Sequence, residues 1–262
     1  MHVVIFGASG AMGQAIARRF LAVYPSSTLV LYVRDASKLP LDITQDRSVI
    51  VIEGQLDEMD NISKALEGCV DAVISALGPT GRKGPLYPSN KPIATAYTRI
   101  ISVMKHRGIK RLIALTTPSV RDPSDQFHLP LVFLRAAFAT LARNVVKDII
   151  AVGEAVKNDG AELDWTLIRL ALQTKSHPTQ ETVTSLPVHT APQAVLMHDS
   201  FGSWKGSISM KSLTPSEPKE EVIAGYMGDG RTRACSSRGG AAAFIIDELE
   251  RREWVKKAPI LS

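Results

Sequence analysis

The sequence predicts a doubly wound α/β fold, in which a mostly parallel sheet lies between two layers of helices. Short runs of β-branched residues alternate with longer amphipathic stretches between residues 3 and 170, and a glycine-rich turn follows the first run. This alternation is the signature of βαβ units. The chain has 262 residues, of which 45% are hydrophobic and 22% charged, so it is long and apolar enough to bury a full core.

Strands and helices alternate in the order that such units require. The predicted strands cover residues 3–6, 28–33, 49–53, 72–75, 111–116 and 165–170. Apolar residues at helical spacing predict helices over residues 11–23, 61–66, 93–107, about 131–157 and 241–252. Residues 128–142 are nearly all apolar, which is typical of a buried helix, and Pro130 suits its first turn.

The periodicity stops between residues 173 and 221. This Ser/Thr-rich stretch is interrupted by the prolines Pro178, Pro187, Pro192, Pro215 and Pro218. It is too long for an ordinary connection, and we interpret it as a lid, a substrate-binding lobe or a poorly ordered insertion. The residues Ser-Ser-Arg at 236–238 then supply an N-cap candidate for the last helix. We therefore predict one domain over residues 1–262, with residues 173–221 as an irregular C-terminal substrate-binding or lid region.

Composition and charge exclude several classes of protein. The formal net charge is +5, and the charges of both signs are interleaved, so a nucleic-acid-binding arm is not indicated. Cys69 and Cys235 lie in no Cys-x-x-Cys or Cys/His spacing, which indicates neither a disulfide framework nor a zinc site. No apolar stretch approaches the ~20 residues that a bilayer span needs. We expect a soluble cytoplasmic protein that acts on a small molecule and binds neither nucleic acid nor membrane.

The motif Gly7-Ala-Ser-Gly10-Ala-Met-Gly13 follows the first predicted strand and opens the first predicted helix. Gly7 allows the tight turn, Gly10 lets the backbone approach a pyrophosphate, and Gly13 allows close packing of helix and strand. The helix N-terminus adds free N–H groups and a partial positive charge. We predict a Rossmann-like dinucleotide site whose contacts are Gly7, Ser9, Gly10, Ala11, Met12 and Gly13.

The residues after the second strand decide between NADP and NAD. They lie about 20 residues beyond the last glycine, where the adenosine ribose is expected. Arg34 is a planar fork of donors and Lys38 a mobile charge, and together they suit a 2′-phosphate. Because Arg34 comes first after the strand, we favour NADP. In the alternative interpretation, both cations are solvated and Asp35 accepts the ribose hydroxyls of NAD.

Two further turns at the carboxyl edge of the sheet are expected to contact the cofactor. Leu56 and Asp57 follow the third strand and are placed to flank the adenine ring, although Asp57 could equally be a helix N-terminal acid. The small residues Ala76, Leu77 and Gly78 follow the fourth strand, at the edge where ligands bind in open α/β folds. We predict that these residues leave room for the cofactor.

Four segments resemble the atypical short-chain dehydrogenase/reductases, specifically their NAD(P)-binding, NmrA-like branch. These segments are residues 7–13, 34–38, 54–57 and 164–169, the last with the sequence Asp-Trp-Thr-Leu-Ile-Arg. The end of the chain is similar to that of fungal polyketide tailoring enzymes of the averufin oxidase A type. The similar parts are Gly225-Tyr-Met-Gly-Asp-Gly230, Ser237-Arg238, the helix from Asp247 and the run Trp254–Pro259.

The resemblance implies a Rossmann domain that binds NAD(P) and oxidises, reduces or rearranges an aromatic polyketide. The sequence departs from this pattern after Arg169, where relatives usually have a proline and pass quickly to a Gly-Tyr-Gly-Asp-Gly segment. Here the residues Leu-Ala-Leu-Gln-Thr-Lys lead instead into the long stretch 173–221. The substrate pocket is therefore the part of the protein for which the resemblance says least.

The catalytic Tyr-xxx-Lys pair of ordinary short-chain dehydrogenases has no clear equivalent. The spacing occurs only at Tyr87 and Lys91, and Pro88 between them makes a continuous helix unlikely, so we interpret it as coincidence. Lys147 lies about one turn before the position of the family's helical lysine, where it would bind the nicotinamide ribose or polarise a carbonyl. A lysine on a solvated helix face explains Lys147 equally well.

Hydroxyl groups and histidines supply the other catalytic candidates. Thr116, Thr117 and Ser119 follow the fifth strand, where the superfamily places a substrate-orienting hydroxyl. Thr116 is also expected to contact the cofactor. Hydroxyl groups at such a position often only cap a turn. His128 follows on the same loop as a candidate proton donor or acceptor. The remaining histidines lack the spacing of a metal pair, and a Gly-x-Ser-x-Gly hydrolase motif is absent from the sequence.

Three functional hypotheses remain open. The first is an NADP-dependent oxidoreductase acting on an aromatic or polyketide-like small molecule in secondary metabolism. The second is a cyclase, dehydratase or isomerase that uses the same pocket without net hydride transfer, which the missing Tyr-xxx-Lys pair favours. The third is a nucleotide-sensing regulator of the NmrA type that binds a protein partner. A homodimer through the apolar face of the long helix is also compatible with the sequence, but burial of that face in the core explains the pattern equally well.

Overall fold

Six strands form where the alternation of the sequence predicts them, within one residue at each end. The computed structural model describes residues 1–79, 87–126, 142–170, 172–174, 222–232 and 235–262, with the backbone alone for 172–174. The six strands are β1 His2–Phe6, β2 Thr28–Val33, β3 Val49–Glu53, β4 Ala72–Ser75, β5 Arg111–Thr116 and β6 Asp164–Leu170. Most of residues 173–221, and with them the interpretation as a lid or lobe, lie outside the described residues.

The strand order places the ends of β1 and β4 side by side. Four short strands complete the described β-structure: β7 Leu172–Thr174, β8 Ala224–Gly225, β9 Cys235–Ser237 and β10 Ile260–Leu261. The main sheet has the order β3-β2-β1-β4-β5-β6-β10-β8, and it is parallel except at β8. The chain reverses direction across the sheet between β1 and β4, and such a switch point opens a crevice at the carboxyl edge.

Helices cover both faces of this sheet, as predicted. They are α1 Ala11–Val23, α2 Leu41–Thr44, α3 Met59–Ala65, α4 Pro92–His106, α5 Arg143–Asn158 and α6 Arg238–Arg251, with a 3₁₀ turn at Ala36–Lys38. The last helix begins three residues before the predicted start because the side chain of Ser237 caps it, accepting a hydrogen bond from the amide of Gly240 at 3.0 Å. The described part of the long predicted helix begins at Arg143.

Alternate residues along each strand point to opposite layers, which divides the core in two. On β1, Val4 and Phe6 belong to the cluster that packs against α3, α4 and α5, while Val3 and Ile5 belong to the cluster beneath α1, α2 and α6. All four side chains are fully buried. A strand that is buried on both faces reads as a continuous apolar run, which is the signal that the sequence carries. The predicted doubly wound architecture is therefore confirmed.

A buried ion pair joins α6 to the amino-terminal edge of the sheet. Nη2 of Arg111 lies 3.0 Å from Oε1 of Glu248, and the two side chains are 3% and 2% exposed. The Arg111 guanidinium also donates to the hydroxyl of Thr166 at 2.8 Å. Desolvation lowers the pKa of Arg111, and the neighbouring Glu248 opposes that shift. The pair fixes the C-terminal part of the chain at the edge opposite the glycine-rich turn.

The described helices are all too short or too polar to cross a membrane.

Candidate functional site

The three glycines of the first turn differ in what the fold requires of them. Gly7 has a φ of +81°, and a Cβ there would lie 2.8 Å from the carbonyl oxygen of Ala76. A Cβ at Gly13 would lie 2.4 Å from the carbonyl oxygen of Gly7. Gly10 is exposed and has extended backbone angles. A Cβ added at Gly10 would lie 3.4 Å from the carbonyl oxygen of Gly7, which is an ordinary contact distance. Internal packing therefore explains Gly7 and Gly13, while the open side of Gly10 fits the close approach of a ligand.

The N-terminus of α1 is free to bind an anion. Gly10 is the N-cap and has no side chain to accept from the first amides of the helix, and the first turn contains no acidic residue. Gln14 anchors this end, because its side-chain amide donates to the carbonyl oxygens of Ser9 at 3.2 Å and Lys38 at 3.3 Å. These two bonds hold the glycine-rich turn beside the turn that follows β2.

The turn after β2 engages Asp35 and leaves Arg34 free. Oδ1 of Asp35 accepts hydrogen bonds from the amide and the hydroxyl of Ser37 at 3.1 and 2.6 Å, and Oδ2 lies 2.9 Å from Nζ of Lys38. Hydrogen bonds from Ser37 and Lys38 lower the pKa of Asp35 to about 2. The Arg34 side chain is exposed and makes no hydrogen bond or ion pair with the described part of the chain.

The residues after β3 lie beside this turn. Leu56 is half-buried and packs on the core cluster under α3 and α4, while its carbonyl oxygen accepts a hydrogen bond from Arg99 at 3.2 Å. Asp57 is exposed and precedes α3, whose first-turn acid is Asp60 instead. Asp57 therefore lies just before the N-cap Glu58 and not in the first turn of α3. Its predicted position beside an adenine ring stays a prediction.

A pocket of about 320 Å³ opens at the carboxyl edge of the sheet. It is lined by six of the predicted site residues, namely Met12, Ala76, Leu77, Gly78, Thr116 and Thr117. The other lining residues, which the sequence did not indicate, are Pro79, Ile93, Leu115, Asp148, Ile149, Val152 and Leu170. Since Met12 belongs to the first turn of α1, the pocket begins at the glycine-rich turn and extends across β4 and β5.

Two buried hydroxyl groups at this edge lack a hydrogen-bond partner within the described structure. They belong to Ser75 and Thr116, the last residues of β4 and β5, which are 0% and 9% exposed. An unsatisfied buried polar group costs about 1–3 kcal/mol. Thr116 is one of the residues that line the pocket, and its hydroxyl oxygen is itself buried.

The one charged side chain among the described residues of the pocket wall is Asp148, which sequence reasoning missed. Its carboxylate is fully buried and accepts hydrogen bonds from the Tyr87 hydroxyl at 2.5 Å and from the amides of Ile93 and Ala94 at 3.1 and 2.8 Å. Burial and this carboxylate raise the pKa of Tyr87 far above its usual value. An acidic residue one turn before Ala151 on the apolar stripe of α5 is the sequence signal that could have found it.

Tyr87 and Lys91, which have the Tyr-xxx-Lys spacing, do not lie on a common helix. Tyr87 lies before α4 and is not helical, and Lys91 has a φ of +51° and is exposed. The Tyr87 hydroxyl contacts Asp148, while Asn144, one turn earlier on α5, donates to the Tyr87 carbonyl oxygen at 3.0 Å. Tyr87 is thus held against α5 and is not presented to a substrate together with Lys91.

Two of the predicted catalytic residues, Lys147 and Ser119, do not line this pocket. Lys147 is exposed on α5 and lines neither of the two clefts at this helix. Ser119 donates its amide to the Thr117 hydroxyl at 3.3 Å, but its side chain lines a separate cleft of about 360 Å³ beside Gly153. His128 lies outside the described residues.

The arginine of the Asp-Trp-Thr-Leu-Ile-Arg segment has a structural role. Arg169 is fully buried and forms two hydrogen bonds to the Asp125 carboxylate, at 2.6 and 2.8 Å. The amide of Met227 donates to the same carboxylate at 3.2 Å. Burial alone would raise the pKa of Asp125, but the hydrogen bonds, led by those from Arg169, outweigh it and lower that pKa. Arg169 thus ties the Gly225–Gly230 segment to the end of β6.

The chain is an α/β protein of the dinucleotide-binding class. This class is defined here by the order of the strands, the glycine-rich turn, the uncapped N-terminus of α1 and the pocket beside it. The chain belongs to the NAD(P)H-binding family, whose model matches residues 7–194. The predicted cofactor, NAD(P), agrees with this membership. A comparison with curated protein sequences finds no match.

Solved structures with the same fold include several bacterial proteins. A short-chain dehydrogenase/reductase from Veillonella parvula has a TM-score of 0.69 at 15% identity, and the match covers 100% of this chain and 93% of that one. A wide-type enzyme from the same organism, in complex with NADP, has a TM-score of 0.66 at 16% identity, with 100% and 94% covered. An anaerobilin reductase from Escherichia coli O157:H7 has a TM-score of 0.63 at 15% identity, with 100% and 96% covered.

Proposed function

We propose that the protein is an NADP-dependent oxidoreductase that acts on an aromatic or polyketide-like small molecule in secondary metabolism. The observation that carries the proposal is the continuity of the site: Met12 lies two residues after the exposed Gly10, and it also lines the pocket at the carboxyl ends of β4 and β5. A dinucleotide whose pyrophosphate lies on the N-terminus of α1 would reach this pocket with its nicotinamide end. When bound, the cofactor supplies or accepts a hydride.

The preference for NADP rests on the turn after β2. Both oxygens of Asp35 are already engaged by Ser37 and Lys38, so this carboxylate is a poor acceptor for ribose hydroxyls. Arg34 is exposed and can form a bidentate pair with a 2′-phosphate. The solved NADP complex of the Veillonella parvula enzyme, which has the same fold, is compatible with this preference.

The apolar wall of the pocket supports a planar, largely uncharged substrate. Leu77, Ile93 and Val152 contribute to this wall, and Thr116 and Thr117 are also among its lining residues. We assign to Thr116 and Thr117 the orientation of a substrate carbonyl oxygen. The proposed NmrA-like branch rests on the resemblance of residues 7–13, 34–38, 54–57 and 164–169, and the proposed averufin oxidase A type rests on the resemblance of the chain's end alone.

Calorimetry with the purified protein tests the proposal. We expect saturable binding of NADPH that is at least tenfold tighter than binding of NADH, because a 2′-phosphate paired with Arg34 adds charged hydrogen bonds of about 1.5–3 kcal/mol. Arg34→Glu should remove this discrimination, and Arg47→Glu, which changes an exposed arginine before β3, is the matched control. Absence of saturable NADPH binding would refute the proposal, and unaltered discrimination in Arg34→Glu would refute the role of Arg34.

A non-redox isomerase, cyclase or dehydratase is the second candidate. The observation that favours it is the described wall of the pocket, which contains no tyrosine and no lysine. Turnover of a substrate without any change in NADPH absorbance, and unaffected by removal of the nucleotide, would support this candidate. Stoichiometric loss of NADPH during turnover would exclude it.

A further inference from the structure

A buried negative charge distinguishes the inner wall of the pocket. The Asp148 carboxylate is 0% exposed, and it is the one charged group among the described lining residues, most of which are apolar. In such surroundings a charge acts over a longer range than it does in water. Its interaction with a bound molecule therefore depends strongly on the charge of that molecule.

Within the described residues, all three side-chain hydrogen bonds of Asp148 are donated to its carboxylate. The Tyr87 hydroxyl and the amides of Ile93 and Ala94 all donate to it, so both oxygens act as acceptors and no proton is needed on either. The amide donors belong to the first turn of α4, whose dipole is equivalent to about half a positive charge. A net negative charge therefore remains at this point of the wall.

No cationic side chain within the described residues neutralises it. Lys147 is adjacent in sequence, but it is exposed, and Lys91 at the start of α4 is exposed as well. Neither lysine forms an ion pair with Asp148 within 4.0 Å. The pocket thus offers negative potential without a fixed counter-charge.

We propose that Asp148 makes the pocket bind the oxidised, positively charged nicotinamide more tightly than the reduced, neutral one. This inference rests on the proposed function, which places the nicotinamide end of NADP in the pocket. The preference has a chemical consequence, since stabilising the oxidised form lowers the free energy needed to release a hydride. Asp148 is then a positioning residue for α4 and Tyr87, and its charge favours reduction of the substrate.

Dissociation constants of NADP⁺ and NADPH, measured by calorimetry on wild type and variants, test this inference. We expect wild type to bind NADP⁺ more tightly. Asp148→Asn should shift the ratio of the two constants toward NADPH about five- to twentyfold, as expected of one unit charge roughly 10–17 Å away at an effective dielectric near 20. Asp159→Asn removes a charge from the exposed C-terminal end of α5, so it should leave the ratio unchanged. Tyr87→Phe keeps the Asp148 charge and should lower thermal stability without moving the ratio toward NADPH.

The outcomes separate this inference from the proposed function. If neither nucleotide binds, the proposed function fails. If both bind and the ratio is the same in wild type and Asp148→Asn, the inference alone is wrong, and Asp148 serves only to cap α4. If Asp148→Asn does not fold, the two dissociation constants of the wild-type protein test the inference. Tighter binding of NADPH than of NADP⁺ would overturn it, and tighter binding of NADP⁺ would support it.

Discussion

Substitution of two glycines in the same turn should separate stability from cofactor binding. In Gly13→Ala, the new Cβ would lie 2.4 Å from the carbonyl oxygen of Gly7 and 2.7 Å from the Cα of Ala8. Both are backbone atoms, so the helix must shift. Overpacking of this kind costs about 1–3 kcal/mol or more, partly offset by about 1 kcal/mol of helix propensity. We expect a net loss of about 2 kcal/mol and a melting temperature lower by roughly 4–8 °C.

Gly10→Thr should have the opposite profile. The extended backbone at Gly10 accepts a branched residue, a Cβ there meets nothing closer than 3.4 Å, and threonine and glycine are about equally good N-caps. We therefore expect stability within about 0.5 kcal/mol of wild type. The side chain would occupy the side on which a pyrophosphate approaches, so the dissociation constant of NADPH should rise about tenfold or more, the equivalent of one lost charged hydrogen bond.

Urea denaturation and calorimetric titration of NADPH on both variants provide the measurement. If Gly10→Thr folds normally and its NADPH affinity stays within twofold of wild type, the pyrophosphate does not lie against this residue, and its proposed place on the N-terminus of α1 is wrong. A melting temperature of Gly13→Ala equal to that of wild type would contradict the close packing of α1 on the turn.

Two further predictions concern the ion pairs that hold the C-terminal part of the chain. Arg111→Met or Glu248→Leu alone should cost about 3–5 kcal/mol, because each leaves a buried charge unpaired. The double variant should be less destabilised than the sum of the two in a double-mutant cycle, and additive effects would contradict the pairing. Because the folded pKa of Asp125 is lowered, its contribution to stability is present above its ordinary value of 3.8 and lost as the pH falls through the folded value. Asp125→Asn should therefore destabilise the protein at pH 7 and reduce the loss of stability as the solution becomes acidic. Urea unfolding measured between pH 7 and acid pH tests this. If the loss of stability in acid is the same as in wild type, Arg169 does not stabilise the charged form of Asp125.

Much of the fold was predictable because its signals are local in sequence. The strand Val49–Glu53 and the helix Ala11–Val23 agree with the predicted bounds, since side-chain periodicity over a few residues decides which face is buried. The two-residue strands Ala224–Gly225 and Ile260–Leu261 carry no such periodicity. They form because the end of the chain pairs beside β6, which is a long-range event.

The candidate site divides in the same way. The glycine-rich turn and Arg34 are recognisable because each follows a strand at a fixed distance, and parallel strands bring their carboxyl ends to one edge. The catalytic assignments depend on which face of a helix or loop turns inward, which local periodicity does not determine. The structure leaves Lys147 exposed and places Ser119 at another cleft.

The sequence alone determined the order of the elements, the two-layered core and the turn that suits a pyrophosphate, because hydrophobic periodicity and glycine geometry act between near neighbours. Tertiary structure decided the environment of Asp148, whose hydrogen-bond partner Tyr87 lies 61 residues away in the chain, and the burial of the Thr116 hydroxyl. These properties depend on desolvation and on contacts between distant segments, which exist only after the sheet and its helices have packed together.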